Sequence, residues 1–514
     1  MYRKDNARQL TFENFYLPFG GKLRSDNRWV VLAKQIPWSV IEAEYAGQFS
    51  DHPAGRSARS VRVALGSLII KERLGVSDRE TARQIAENPY LQYFLGFAEY
   101  KDQEPFDPSL MTYFRQRFDA KILSRINDLI VKQGLSREQA SKEPSSASPE
   151  NDDQDSDPTP PANGGKLIVD ATCAPADVAY PTDLNLLNDG RKKTEAIIDT
   201  LHMHRPGRKK PRTYRQTARR DYLAVAKQRK RGYKKIRKAI GGQIRYLRRN
   251  LQAIDVMASE GLLARLSPRQ YRSLLVIHEL YRRQQEMFDH RRHKIEDRII
   301  SIAQPHLRPI VRGKAKSPVE FGGKISVSLV EGFSFVDAIH WDNANESQDL
   351  IEQIEGYRRR FGRYPESVHA DQIYRTRENR SYCRERGIRF SGPPLGRPRT
   401  QTVANTDELN RPKQQHRQDE IDRIAIEGKF GQGKRRFGLG RVMAKLAATS
   451  EVVIGMAFLV MNLEKILAGI FSFIFFCLRW LARRLVAVQT MTGVLHPLAM
   501  LRSRFALKEY CPNQ

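Results

Sequence analysis

Cysteine is scarce in this sequence. Four occur in 514 residues (Cys173, Cys383, Cys477 and Cys511), scattered and without a CxxC pair. They read as free thiols in a reducing compartment rather than as a disulfide framework. Zinc-type spacing is missing too, because His290 and His293 sit among arginines with no further ligands beside them. There is no Walker-type phosphate loop: Gly431-Gln432-Gly433-Lys434 lacks both the preceding strand and the Ser or Thr that such a loop needs. The opening residues Met1-Tyr2-Arg3-Lys4-Asp5 hold no apolar core, so a secretory signal is not expected. Acids are outnumbered, with 58 Asp and Glu against 88 Lys and Arg, for a net charge of +30. That excess favours a polyanionic partner, although charge alone does not choose among nucleic acid, ribosome and membrane surface. Long apolar runs are few. Residues 452–488 are apolar, but Glu464 and Lys465 interrupt them. The clean run Ile466–Leu478 is shorter than the ~20 residues a bilayer span needs. A buried or partner-facing helix is expected there, and a membrane span is not.

The length allows two to four domains. Residues 57–132 read as helical: Val63, Leu65, Leu68 and Ile69 form an apolar face, Gly75 is a stop, and Ser77-Asp78-Arg79-Glu80 opens a second helix. A third helix begins near Ser109 and carries Tyr113, Phe114, Arg115 and Arg117. Short helices with basic and aromatic residues fit a helix-turn-helix-like DNA reader over 1–135, with Arg115 and Arg117 as DNA contacts. A plain helical bundle is the alternative. Residues 136–165 read as an acidic, disordered linker, because from Lys142 onward Pro, Ser, Asn and acids leave nothing apolar to bury.

At Lys166 the pattern turns strand-like. Lys166–Thr172 is a candidate central strand. Ile325, Val327 and Leu329 alternate with serines, Glu331-Gly332 turns, and Phe333–Trp341 returns as a hairpin. Asn345 or a neighbour caps a helix bearing Leu350, Ile351, Ile354 and Tyr357. A strand ending at Asp371, a helix to about Arg386 and a last strand at Ile388–Ser391 follow. That order is the order of an RNase H-like α/β core, a mixed sheet flanked by helices, here spanning 166–465. The core is interrupted by a helical insertion at 182–313 and followed by an apolar then basic tail, 466–514. Within the insertion, residues 205–238 hold sixteen Lys or Arg and one acid, Asp221. Ile236, Ile240, Ile244, Leu247, Leu251 and Ile254 then recur at helical spacing, and Leu274, Ile277, Tyr281 and Phe288 repeat the rhythm after Ser267-Pro268. This predicts a basic helical hairpin with a coiled-coil seam. So dense a block of one sign repels itself without a counter-charge, so Arg229, Lys230, Arg231, Lys234 and Lys235 are candidate backbone contacts to DNA. A solvated face on an oligomerisation helix pair is the competing reading.

Three acids stand in distinct settings: Asp170 ends Leu167-Ile168-Val169, Asp371 ends Val368-His369-Ala370, and Glu427 lies in Arg423-Ile424-Ala425-Ile426-Glu427. Two carboxylates at strand ends and a third on a following helix can converge on divalent cations. Two Mg²⁺ (or Mn²⁺) ions about 4 Å apart would suit phosphoryl transfer. Arg423 shares a helix face with Glu427, as does Lys434 if the helix continues through Gly431 and Gly433, and a cation there can hold a phosphate. Asp337 and Asp183 are rival carboxylates, and Phe430 is read as packing.

These residues resemble the DDE transposases of bacterial insertion sequences, in the branch of insertion-sequence families four and five. The matching motifs are Asp170-Ala171-Thr172, Asp371-Gln372-Ile373-Tyr374 and Arg423-x3-Glu427-x6-Lys434. Leu74-Gly75-Val76-Ser77-Asp78-Arg79-Glu80 and Phe94-Leu95-Gly96 are similar to the helical DNA-binding part of that branch. The signature Tyr three residues before the Arg is Glu420 here, and the insertion lies outside the minimal core.

The resemblance implies metal-dependent nicking at the ends of a mobile element, exposing 3′-hydroxyls, and joining of those ends to target DNA. Asp170, Asp371 and Glu427 would be the catalytic and metal-holding acids, and Arg423, Lys434 and Tyr374 DNA contacts. The partners implied are double-stranded terminal repeats and target DNA, with a homodimer or larger assembly on paired ends, no small-molecule substrate, and a bacterial cytoplasmic, nucleoid-associated location. Two alternatives stay open: a metal-dependent nuclease that cuts without joining, and a non-catalytic DNA-binding protein of transposase descent.

Overall fold

A computed structural model of the chain describes residues 12–47, 49, 58–140, 162–314, 317–393 and 406–491. Helices come first: α1 (Arg28–Gln35), α2 (Trp38–Ala46), α3 (Val61–Leu74), α4 (Asp78–Glu87), α5 (Pro89–Phe94), α6 (Leu110–Arg117) and α7 (Ala120–Ala140). Their ends follow local chemistry. The Ser60 and Ser77 hydroxyls accept from the N–H groups of Val63 and Glu80, and Gly75 closes α3 at φ 67°, a left-handed conformation that a Cβ disfavours. Residues 136–140, expected in the linker, are helical instead, because α7 runs on to Ala140. The reason is packing: Leu135 lies against the core, and a Cβ on Gly134 would fall 3.0 Å from Ile466. The rest of the linker call, 141–161, lies outside the described residues.

The protein is mixed α/β. Strand β1 (Lys166–Pro175) is followed by α8 (Asp183–His202), α9 (Arg215–Ala226), α10 (Tyr233–Ser259) and α11 (Pro268–Asp289). Then come β2 (Pro309–Lys314), β3 (Ser317–Val330), β4 (Phe333–His340), α12 (Leu350–Phe361), β5 (Ser367–His369), α13 (Arg377–Glu385), β6 (Arg389–Phe390), α14 (Thr406–Arg436) and α15 (Ala447–Met491). The sheet order is β2-β3-β1-β5-β6, with β4 also on β3. β1 is antiparallel to β3 and parallel to β5, so it is central as expected. The β3–β4 hairpin turns at Glu331 (φ 49°) and Gly332 (φ 75°), two left-handed residues whose twist matches the strands they join.

The insertion between β1 and β2 builds its own apolar core from Leu187, Ile198, Leu247, Ile254, Ile277 and their neighbours. The expected α10–α11 hairpin forms, with Ser267 and Gln270 closing a capping box at the head of α11. Its seam is wider than the repeat foretold: α10 packs chiefly on α8, so the apolar face serves a bundle rather than one partner. Inside it, Arg191 is buried and satisfied by Asn188 (2.8 Å), Gln243 (3.2 Å) and Glu195.

A second, larger core is continuous from the N-terminal helices through the sheet to α15. The segment Ala447–Ser472 is long and apolar enough to cross a membrane, yet 61% of its most apolar window is buried within the fold. Asn462 on α15 accepts the Ser334 N–H of β4 (2.9 Å), and its own amide donates to Asn127 of α7 (2.8 Å). The helix runs unbroken across residue 465, where the sequence reading ended the catalytic unit, because Ile466 and Leu467 still belong to the core.

One titrating group is trapped where α3 meets the loop after α14: Glu72 is buried, and burial pushes its carboxyl up to about 7, slightly opposed by Lys71. The folded chain therefore holds this proton more tightly than the unfolded chain does. The fold is favoured while Glu72 is protonated, and that advantage fades as pH rises from 4.5 through about 7. Glu72→Gln should unfold at a higher temperature than the parent at about pH 8 and nearly together with it at about pH 5, as thermal melts across that range would read.

Candidate active site

Parallel pairing sets the site. Ile168 of β1 is level with His369 of β5, so two residues on, Asp170 comes beside the point where β5 has ended and Asp371 follows. Asp170 does not end its strand as expected, because β1 stays paired with β3 as far as Pro175. In sheets with parallel strands the carboxyl ends, here that of β5, are where ligands bind. Asp371 lies just beyond β5 and caps a short 3₁₀ turn, Gln372–Tyr374, by accepting the Gln372 N–H at 2.6 Å. Asp170 accepts the Ala171 N–H at 2.8 Å. Burial pushes the Asp170 carboxyl up to about 6. The Ala171 bond and the Arg423 charge oppose that shift, while Glu346 and Asp371 add to it. Arg423 of α14 also lies 3.7 Å from Asp371.

Glu427 stands one helical turn beyond Arg423 and is exposed. Among the described residues, no three His, Cys, Asp or Glu side chains are gathered into a group that could hold a metal ion. The structure thus brings Asp170, Asp371 and Arg423 together and leaves Glu427 on the adjoining turn. The glycines at 431 and 433 do not break α14, which continues to Arg436 and carries Lys434 on the Glu427 face. A Cβ on Gly433 would fall 2.6 Å from Leu439, so this glycine answers to close packing.

What holds α14 in place is ion pairs to two strands and a close approach to a third. Arg389 of β6 grips Asp419 with both guanidinium nitrogens (2.7 and 2.9 Å), and Lys166 of β1 reaches Asp422 (2.7 Å). Between them His369 of β5 is fully buried, its Nδ1 3.6 Å from Asp419 and 3.9 Å from Asp422. Burial holds that imidazole below its ordinary pKa, which keeps it neutral at pH 7, although Asp419 and Asp422 pull the other way.

The rival acids are fastened elsewhere. Asp337 is held by Ser328 (2.5 Å), Gln353 (3.1 Å) and Arg360 (3.2 Å), and Asp183 by Arg298 (2.6 Å) and Gln284 (2.8 Å). Sequence reasoning missed Glu346, whose carboxylate acts on Asp170 and pairs with Lys324 at 3.0 Å. Its only sequence signal was its place after the capping Asn345.

Among the expected DNA contacts, Tyr374 needs correction: it is fully buried in the core, because its 3₁₀ turn folds inward beneath Asp371. Arg115 and Arg117 also turn inward. Arg115 forks onto Asp78 (3.0 and 2.5 Å), while Arg117 donates to the Tyr45 hydroxyl (3.2 Å) and lies over the Phe49 ring. Arg229, Lys230, Arg231, Lys234 and Lys235 are all exposed on the insertion. Phe430 is buried, as expected.

Comparison with known proteins gives the class. Residues 368–464 match the family described as "Transposase DDE domain", and residues 18–117 match "Transposase domain (DUF772)". The first match takes in Asp371, Arg423, Glu427 and Lys434, whereas Asp170 and the insertion lie outside both. The chain therefore carries transposase domains, one of them of the DDE kind, consistent with a DDE transposase of insertion sequences. A relative is the "Uncharacterized protein ORF8 in nfe locus" of Rhizobium meliloti, 30% identical over 157 residues. The match covers 30% of this chain and 66% of that relative, just under two thirds of its length. No solved structure matches.

The α14 contacts generate a test. Asp419→Ala leaves Arg389 and His369 without their carboxylate. It should cost about 2–3 kcal/mol, less than a fully buried pair because Arg389 is partly solvated. Amide hydrogen exchange across 415–436 should quicken, and unchanged exchange there would show that these contacts do not hold the helix.

Proposed function

We propose that this protein is a DNA transposase that cleaves the ends of a mobile element and joins the freed 3′-ends to target DNA. The observation that carries the reading is the register that sets Asp170, inside β1, beside the end of the parallel strand β5 where Asp371 follows, with Arg423 3.7 Å from Asp371. A β3–β4 hairpin antiparallel to a central β1, followed by parallel β5 and β6, supports an RNase H-like core.

The donor chemistry fits a hard divalent cation. Asp170 and Asp371 present oxygen ligands, and the cost of an ionised Asp170 beside like charges is one a cation relieves. Asp170 and Asp371 would hold Mg²⁺ or Mn²⁺ with Glu427 from the next turn of α14. When bound, the metal supplies activation of the attacking oxygen and charge relief on the leaving one. The chain's own groups do the rest. Arg423 balances the carboxylates and, with Lys434, orients the phosphate. In cleavage, water attacks phosphorus and the bond to the 3′-oxygen breaks, releasing a 3′-hydroxyl. In joining, that hydroxyl attacks a target phosphodiester and displaces its 3′-oxygen, so one P–O bond forms for each that breaks.

The helices of residues 18–117 are assigned to reading the terminal repeats, and the exposed cations of the insertion to gripping the backbone. The working form is a dimer or larger assembly on paired ends, in the bacterial cytoplasm beside the nucleoid.

Asp371→Asn should bind terminal-repeat DNA as the parent does and lose both cleavage and joining; retained joining of pre-cut ends rejects the assignment. A parent protein that cuts but never joins pre-cut ends would be a nuclease instead. Replacing Arg229, Lys230, Arg231, Lys234 and Lys235 by Gln should weaken binding to all sequences alike. The salt dependence of log K should flatten by roughly 0.9 for each phosphate contact removed. An unchanged slope in a titration from low to moderate salt would remove the insertion from the DNA interface.

A further inference from the structure

Tyr374 carries a hydroxyl that the core does not use. The side chain is fully buried, and its hydroxyl oxygen has no hydrogen-bond partner among the described residues. A phenylalanine would pack as well without the cost of an unsatisfied donor, and buried polar groups left unmade are uncommon enough to ask for a reason.

The surroundings supply one. The Tyr374 turn is stitched to the Glu346–Asp349 turn by Asn379, a buried side chain whose amide donates to the carbonyls of both Tyr374 and Ser347 at 2.8 Å. This brings the phenol within the field of four carboxylates, those of Glu346, Asp170, Asp349 and Asp337, which with burial raise the phenol's pKa above its ordinary value. Three of the four are already engaged. Glu346 pairs with Lys324 (3.0 Å), Asp349 accepts from Ser326 (2.5 Å) and contacts His340 (2.9 Å), and Asp337 is held by Ser328, Gln353 and Arg360. Among the described residues Asp170 takes a hydrogen bond only from the N–H of its own neighbour, Ala171. It is the one carboxylate of the four that no side chain pairs with there.

We propose that Tyr374 is a positioning residue of the active site, its hydroxyl donating to the Asp170 carboxylate once DNA is bound. Hydrogen bonds of catalytic groups are commonly long or unmade in a free enzyme and tighten in the complex. The phenol would fix the orientation of Asp170 from below, while Arg423 approaches Asp371 from α14. The inference rests on the reading of Asp170 as a catalytic acid.

The test is Tyr374→Phe, which keeps the ring and removes the hydroxyl, measured beside Asp170→Asn. For Tyr374→Phe the unfolding midpoint should be unchanged or raised, and affinity for terminal-repeat DNA should stay within about twofold. Single-turnover cleavage at saturating DNA should fall by roughly tenfold or more, as expected of a bond made only toward the transition state. A purely structural tyrosine would not lower the rate while stability held or rose. Cleavage at the parent rate by Tyr374→Phe, with Asp170→Asn inactive, overturns this proposal and leaves the function standing. A lowered midpoint with lost DNA binding also overturns it, as the mark of a packing role. Cleavage by Asp170→Asn refutes the functional reading itself, and the proposal with it.

Discussion

The site depends on the ion pairs that fasten α14 to the sheet. Asp419 and Asp422 lie on one side of that helix and receive Arg389, Lys166 and the neutral ring of His369, one side chain from each of three strands. Arg423 follows Asp422 directly, so once the helix is seated its guanidinium has little choice but to face the strand ends. Attraction to the rim of a sheet is directional in a way that apolar burial is not: it fixes rotation about the helix axis as well as distance. Ile426 and Phe430 add burial on the same helix, but burial alone would tolerate a modest roll.

Much of this was legible in the residues, and the part that was not has a common cause. The hairpin, the central strand and the caps at Ser77 and Asn345 follow from chemistry confined to a few neighbouring residues, and the structure agrees with them. Periodicity also marked the apolar face of α10. It could not say which helix covers that face, and α8, nearer in space than the pattern could tell, takes most of it. The end of α7 was set too early, and the boundary at 465 fell inside α15, for the same reason, since packing joins these two distant segments.

At the site the division is sharper. Asp170 and Asp371 stood out because each closes an apolar run, a local signal, although only β5 stops short of its acid, while β1 runs on past Asp170 to Pro175. Glu346 was not, since its nearness to Asp170 is created by the sheet's register. Tyr374 misled for a related reason. Gln372-Ile373-Tyr374-Arg375 has no period, and the turn leaves Ile373 half-exposed while it buries Tyr374. Arg115 is paired with Asp78, thirty-seven positions earlier, and no local spacing announces such a bond. Basic residues in a sequence advertise charge, whereas only the fold decides which of them are already neutralised. In the insertion the same signal held better, because a bundle with its own apolar core leaves its surface cations pointing outward.

The helix α15 has a bearing on how the polypeptide is made. Its buried stretch through Leu467 touches α7, α3 and β4 and completes the core that those earlier segments begin. A ribosome delivers it after more than four hundred other residues, so the N-terminal helices wait, with apolar faces uncovered, for nearly the whole of translation. The insertion bundle is under no such delay and can close on itself midway. A nascent chain of this design therefore carries a finished basic bundle before α15 has closed the larger core.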